Sequence, residues 1–190
     1  LHLIDQLAEF HVPVILFSGG EPLMRKDFFT LAAYAKGKGI RPTLSTNGTL
    51  ITPEVAQKIK NIGVGYVGIS LDGLQATNDK FRGVPGAFEK ALAGIRNCRA
   101  VQQRVGLRFT ISKNNYRDIP AILELMEREE VDRVCFYHLV YSGRGEEMMA
   151  NDLTHAETRE VLDLIIDKVL DFHKRGLKKE VLMVDNHVDG

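Results

Sequence analysis

Tryptophan is absent and cysteine nearly so: the 190 residues contain only Cys98 and Cys135. Two thiols so far apart form neither a disulfide framework nor the closely spaced ligand set that zinc and iron–sulfur sites require. Both read as buried thiols in a reducing compartment. Neither sign of charge is in excess, since 25 Lys and Arg face 25 Asp and Glu. No global field then favours nucleic acid or an anionic membrane, and an anionic ligand must be met by local arginines. Apolar runs stay well short of the ~20 residues of a membrane span, and the N-terminus lacks the basic-then-apolar layout of a signal peptide. The expectation is a cytoplasmic protein with no nucleic-acid or membrane partner. Internal repeats and low-complexity segments are also missing.

What the chain has is alternation. Apolar runs at Val12–Phe17, Pro42–Ser45, Val64–Leu71, Val105–Ile111, Val131–Val140 and Val181–Val184 read as strands. Between them lie helical patterns: Asp27 to Lys38, with Asp27 as N-cap; Pro53 to Gly63, after the capping hydroxyl of Thr52; Ala87 to Val101; and Ile119 to Glu129. Thr154-His155-Ala156-Glu157 is a capping box that opens a long helix. Leu1 already falls inside a helical pattern. Strands that alternate with helices predict a parallel sheet, as a barrel or as an open doubly wound sheet. A domain of this length removes roughly 70% of its unfolded surface from water, enough for one core. The stretch from Tyr141 to Asp152 reads as a long loop, either a lid over a substrate or a plain surface loop.

Three polar strings follow apolar runs and line one rim of such a sheet. Gly19-Gly20-Glu21-Pro22 offers a backbone that a ligand can approach closely and a carboxylate beside it. Ser45-Thr46-Asn47-Gly48 offers hydroxyls and an amide, although a simple Asn-Gly turn explains the same residues. In Ser70-Leu71-Asp72-Gly73, strand alternation points Ser70 and Asp72 to one side, where both can meet a ligand; Asp72 as a helix cap is the plainer reading. Arg108, His138 and Arg144 sit in a strand, at a strand end and in the loop beyond it and can meet carboxylates, although surface ion pairing and an ordinary core or rim histidine are the plainer readings.

Together the strings resemble the S-adenosylmethionine-binding edge of radical SAM enzymes. The resemblance covers nearly the whole chain, residues 1–190, as one core domain. It implies an α/β fold, a partial (β/α)6 TIM-like barrel of radical SAM type with its first strand absent from this chain. By the same resemblance, Gly19, Gly20 and Glu21 engage the methionyl ammonium, while Ser45, Asn47, Ser70 and Asp72, with Arg108 and Leu139, hold the rest of the cofactor. The family's C-x-x-x-C-x-x-C loop has no counterpart here, so the ligands of the implied [4Fe-4S] cluster are expected outside the chain, whose first residues match the helix behind that loop. No metal ligand and no catalytic residue is assigned within it.

Asp79-Lys80-Phe81-Arg82-Gly83 and Gly86-Ala87-Phe88 resemble the subgroup that carries an additional C-terminal cluster. Tyr141-Ser142-Gly143-Arg144-Gly145 and the string from Val184 to Gly190 resemble the haem-biosynthesis branch, including its haem d1 members. That implies a tetrapyrrole substrate met by His138, Arg144 and His187. It also implies a reductant such as flavodoxin or ferredoxin, and cleavage of S-adenosylmethionine to a 5′-deoxyadenosyl radical. A peptide- or protein-modifying maturase of the same superfamily, and a non-catalytic nucleotide-binding barrel, are the alternatives.

Overall fold

A computed structural model describes residues 1–140 and 149–184. Six strands occupy one sheet in the order of the chain: β1 (Val14–Phe17), β2 (Arg41–Thr46), β3 (Tyr66–Ser70), β4 (Val105–Thr110), β5 (Arg133–Tyr137) and β6 (Glu180–Val184). Among the described residues seven α-helices lie before and between them: α1 (His2–Glu9), α2 (Phe28–Gly37), α3 (Pro53–Ile62), α4 (Gln75–Arg82), α5 (Ala87–Ala100), α6 (Ile119–Arg128) and α7 (His155–Lys174). The expected alternation is therefore observed. Among the described residues no helix is long and apolar enough to cross a membrane.

The chain groups into two compact units, residues 1–70 with 89–106 and residues 71–88 with 107–190. In the first, β1 pairs with β2 and β2 with β3, all parallel, with Val14 opposite Arg41 and Thr43 opposite Tyr66. Among the described residues β1 has no other neighbour in the sheet order. Ile4, Ala35 and Ile40 form a buried cluster under Leu7, Ile15, Phe17, Leu31 and Tyr34, so the apolar face of α1 is held by α2 and β1. Tyr34 adds a 2.6 Å hydrogen bond to Asp5. α3 starts as the sequence indicates, with Thr52 accepting from the Val55 N–H (3.2 Å) and Pro53 in the first turn.

In the second unit β5 and β6 pair in parallel, Arg133 opposite Glu180 and Tyr137 opposite Val184. Phe109 and Phe136 meet edge to face at 5.6 Å among the fully buried side chains. The capping box of α7 is present: the Thr154 hydroxyl accepts from the Glu157 N–H, and the Glu157 carboxylate accepts from the Thr154 N–H at 2.8 Å. α6 and α7 are tied by Glu127, which accepts from Arg175 (2.5 Å) and from Lys168 (3.0 Å).

Two local expectations differ. Asp27 stands at the N-cap of α2 but makes no capping bond, because Arg25 engages both its oxygens at 2.6 and 3.0 Å. α4 was not indicated by periodicity, since its QATNDKFR sequence has hardly any apolar face.

The α6–α7 tie predicts an acid signature. Hydrogen bonds from Arg175 and Lys168 hold the Glu127 carboxyl down at about 2. A carboxyl lowered by folding stabilises fully above its unfolded value near 4.5 and loses that contribution as the pH falls through about 2. Glu127→Gln is expected to be less stable than the parent at pH 7, with the gap closing between pH 4.5 and 2. Urea unfolding across that range checks it, and a constant gap contradicts it.

Candidate functional site

In the first unit, β1 gives way after Phe17 to an exposed run through Gly19 and Gly20. No heavy atom lies within 4 Å of where a side chain would begin at either glycine, so this backbone faces open space that a ligand can enter. Glu21 caps the 3-10 turn Pro22–Met24, its Oε1 accepting from the Leu23 N–H at 3.1 Å. The same Oε1 accepts from the Thr46 hydroxyl at 2.7 Å, and Oε2 accepts from the Asn47 N–H at 2.7 Å. A carboxylate has about four lone-pair sites. Three are occupied by these donors, and the one left belongs to Oε2.

Thr46 closes β2 and is 3% exposed. Its oxygen accepts from the Gly48 N–H at 3.0 Å. Asn47 turns its Oδ1 to the Thr49 N–H (2.9 Å) and hydroxyl (2.7 Å), an Asx turn that shapes its own loop. Gly48 has φ +76°, and a Cβ there would stand 2.7 Å from Ile69 Cγ2, so no other residue fits. Ser45 in β2 and Ser70 at the end of β3 are half-buried. The open Gly19–Gly20 backbone and the remaining lone pair of Glu21 together form an acceptor set of the kind that suits an ammonium.

The second unit holds Asp72, which lies buried just beyond β3. β3 ends at Ser70, so strand alternation no longer dictates where residue 72 points. Asp72 is 2% exposed, accepts from the Thr110 N–H at 2.9 Å and pairs with Arg82 of α4. Burial pushes its carboxyl up from the ordinary value, against the pull of Arg82 and the Thr110 N–H. Its backbone N–H donates to Asn78 Oδ1 at 3.0 Å, and its carbonyl accepts from Asn115 Nδ2 at 3.1 Å. Asn115 also donates to the Thr110 carbonyl (2.8 Å) and accepts from the Ser112 N–H (2.7 Å). Gly73 (φ +146°) has no room for a Cβ beside Thr77 and Asp118. This is a buried polar network that ties together the chain beyond β3, the end of β4 and α4.

Asp79, within the family-like string, accepts from the Phe88 N–H at 2.8 Å and the Gly86 N–H at 2.7 Å, fixing the start of α5. Those two donors, the Phe88 N–H foremost, lower its carboxyl. The Arg108 guanidinium lies over the Tyr137 ring at 4.5 Å. Leu139 is buried, and half-buried His138 donates its backbone N–H to the Val184 carbonyl at 3.3 Å. Arg144 and His187 lie outside the described residues.

Sequence reasoning passed over Thr46, Asn78, Arg82, Thr110 and Asn115. Asn115 had a signal: an amide three residues after Ser112, just past a strand, is placed for local capping. The thiols of Cys98 and Cys135 are both buried, and burial pushes Cys98 up to about 12, away from the thiolate a metal needs. Among the described residues no cluster of His, Cys, Asp or Glu is arranged to hold a metal ion.

Comparison with protein families matches residues 1–126 to the Radical SAM superfamily. Fe-coproporphyrin III synthase of Methanosarcina barkeri is 58% identical over 188 residues, 99% of this chain and 47% of that protein. Pre-heme d1 synthase of Dinoroseobacter shibae is 44% identical over 187 residues, 98% of this chain and 46% of that protein. Among solved structures, Streptococcus suis SuiB bound to S-adenosylmethionine superposes with a TM-score of 0.78 at 18% identity, over 98% of this chain and 41% of its own, a likeness of fold. The chain spans about half the length of the curated relatives it matches.

The Asp72 network yields a stability prediction. Arg82 is itself exposed, so the pair is buried on one side only; Arg82→Met leaves the buried Asp72 carboxylate without its counter-ion and is expected to be less stable than the parent at pH 7. The Asp72 carboxyl it leaves behind is raised in the folded state, and a raised carboxyl regains stability as the pH falls through its folded value, fully so below the ordinary 3.8. Urea titrations at pH 7 and pH 4 should show the deficit shrinking with acid. An equal deficit at both contradicts the burial argument.

Proposed function

The chain belongs to the radical SAM superfamily, and from that premise we propose that it is the S-adenosylmethionine-holding part of an enzyme that modifies tetrapyrrole side chains in haem or haem d1 formation. The observation that carries this reading is the 58% identity, over nearly the whole chain, to Fe-coproporphyrin III synthase. The 44% identity to pre-heme d1 synthase points to the same substrate class.

The donor set in the first unit fits the cofactor's amino end. Gly19 and Gly20 present open backbone, and Glu21 retains one acceptor site on Oε2. Ser45, Asn47 and Ser70 are the further polar candidates for its carboxylate and ribose. Asp72, buried on Arg82 and Thr110, acts as a positioning residue for the chain beyond β3. When bound beside a reduced iron–sulfur cluster, S-adenosylmethionine supplies hydrogen-abstracting chemistry that no side chain here possesses. Two buried thiols cannot supply the thiolates of such a cluster, so its ligands come from outside this stretch. The reading puts the enzyme in the cytoplasm, with flavodoxin or ferredoxin as its electron donor.

Toward the substrate, Arg108 and His138 are the described groups suited to propionate-type carboxylates, with Arg144 and His187 proposed beside them. The complete gene product, reconstituted anaerobically and titrated with a decarboxylated sirohaem and with iron coproporphyrin, is expected to shift the absorption band of at least one of them. Arg108→Ala should weaken that binding about tenfold, the order of one charge-assisted hydrogen bond. Turnover of a peptide with no binding of either tetrapyrrole would overturn the substrate assignment.

A further inference from the structure

We propose that Thr46 is a positioning residue for the cofactor's amino group, acting through Glu21; the inference rests on the S-adenosylmethionine reading above. A threonine hydroxyl has one proton to donate and can accept in return. At Thr46 the Gly48 N–H donates to the oxygen at 3.0 Å, and the hydroxyl proton goes to Glu21 Oε1 at 2.7 Å. Because Gly48 can only donate at that contact, the direction of the Thr46 proton is set by the backbone.

The consequence lies in which oxygen of Glu21 remains available. Leu23 and Thr46 fill Oε1, while Asn47 fills one site of Oε2. Three donors from two segments fix the carboxylate plane and leave a single acceptor site, on Oε2, for a cation. Without the Thr46 hydroxyl, Oε1 regains a free site and the carboxylate is held on that side by the Leu23 N–H alone, so it can turn and its preorganisation for an ammonium is lost. Thr46 touches no ligand itself. At 3% exposure it works from beneath the site.

The test separates this role from plain support of the fold by using two ligands, only one of which has an amino group. S-adenosylmethionine and 5′-methylthioadenosine share the nucleoside, and only the first carries the amino acid end. In the anaerobically reconstituted gene product, Thr46→Val is expected to weaken S-adenosylmethionine about tenfold by titration calorimetry, near 1.4 kcal/mol, and to leave 5′-methylthioadenosine affinity unchanged. Thr46→Ser, which keeps the hydroxyl, should restore affinity to within about twofold of the parent, the spread of a retained bond. Thr46→Cys, with a weak donor of similar size, should fall between the two and decides the matter if the valine variant fails to fold.

Equal weakening of both ligands, or no change in either, would overturn the positioning role while leaving the cofactor reading intact. A parent protein that binds neither ligand would overturn the cofactor reading itself.

Discussion

The carboxylate of Glu21 joins two segments that a parallel sheet leaves separate, the loop after β1 and the end of β2. In a parallel ladder every strand finishes at the same edge, and the loops there have no ladder of their own to satisfy their backbone N–H groups. Glu21 accepts from Leu23 in its own loop and from Thr46 and Asn47 on the neighbouring strand end. Hydrogen bonds to an ionised acceptor are about twice as strong as neutral ones. One side chain thereby orders both loops and still keeps an acceptor site for a ligand.

Asp72 is the same chemistry put to another use. It also follows a strand, yet it is closed off by Arg82, by the Thr110 N–H and by the turn at Gly73. The difference lies in the donors around each carboxylate. Glu21 meets two amides and a hydroxyl beside two exposed glycines, whereas the buried carboxylate of Asp72 meets the guanidinium of Arg82, which itself reaches the surface. A buried carboxylate without such a partner would be strongly penalised, which makes Arg82 and Asp72 a unit. Asn78 and Asn115 complete it by pairing with the Asp72 backbone. Polar residues beyond a strand thus sort into those closed within a buried network and those beside open backbone.

That sorting is where the sequence was least legible. The strands could be located to within a few residues because apolar runs end at glycine or polar strings, and α3 and α7 were legible from the side chains of Thr52 and Thr154. α4 was not, because it carries hardly any apolar stripe and its charged residues Asp79 and Arg82 are defined by what they bond far from their own turn. β3 stops at Ser70, so the two-residue period no longer encodes an orientation for residue 72. Thr46 stood within a string whose neighbours Ser45 and Asn47 drew the attention. Its role depends on the partner of its single proton, which spacing does not encode. Buried networks are read from geometry, and the exposed glycine-glycine-glutamate string from sequence.

The proposed substrate class rests on the identity to Fe-coproporphyrin III synthase and pre-heme d1 synthase, and the proposed contact with the cofactor's amino end rests on the Glu21 cradle. The two meet in one structural claim, that Glu21 Oε2 is the acceptor for that amino group. An anaerobic crystal structure of the complete gene product with S-adenosylmethionine tests it directly. The expected result places the amino nitrogen at hydrogen-bonding distance, about 2.7–3.2 Å, from Glu21 Oε2, with Thr46 and Leu23 still on Oε1. A cofactor bound with its amino group away from Glu21, or with Oε2 turned from it, would contradict the claim.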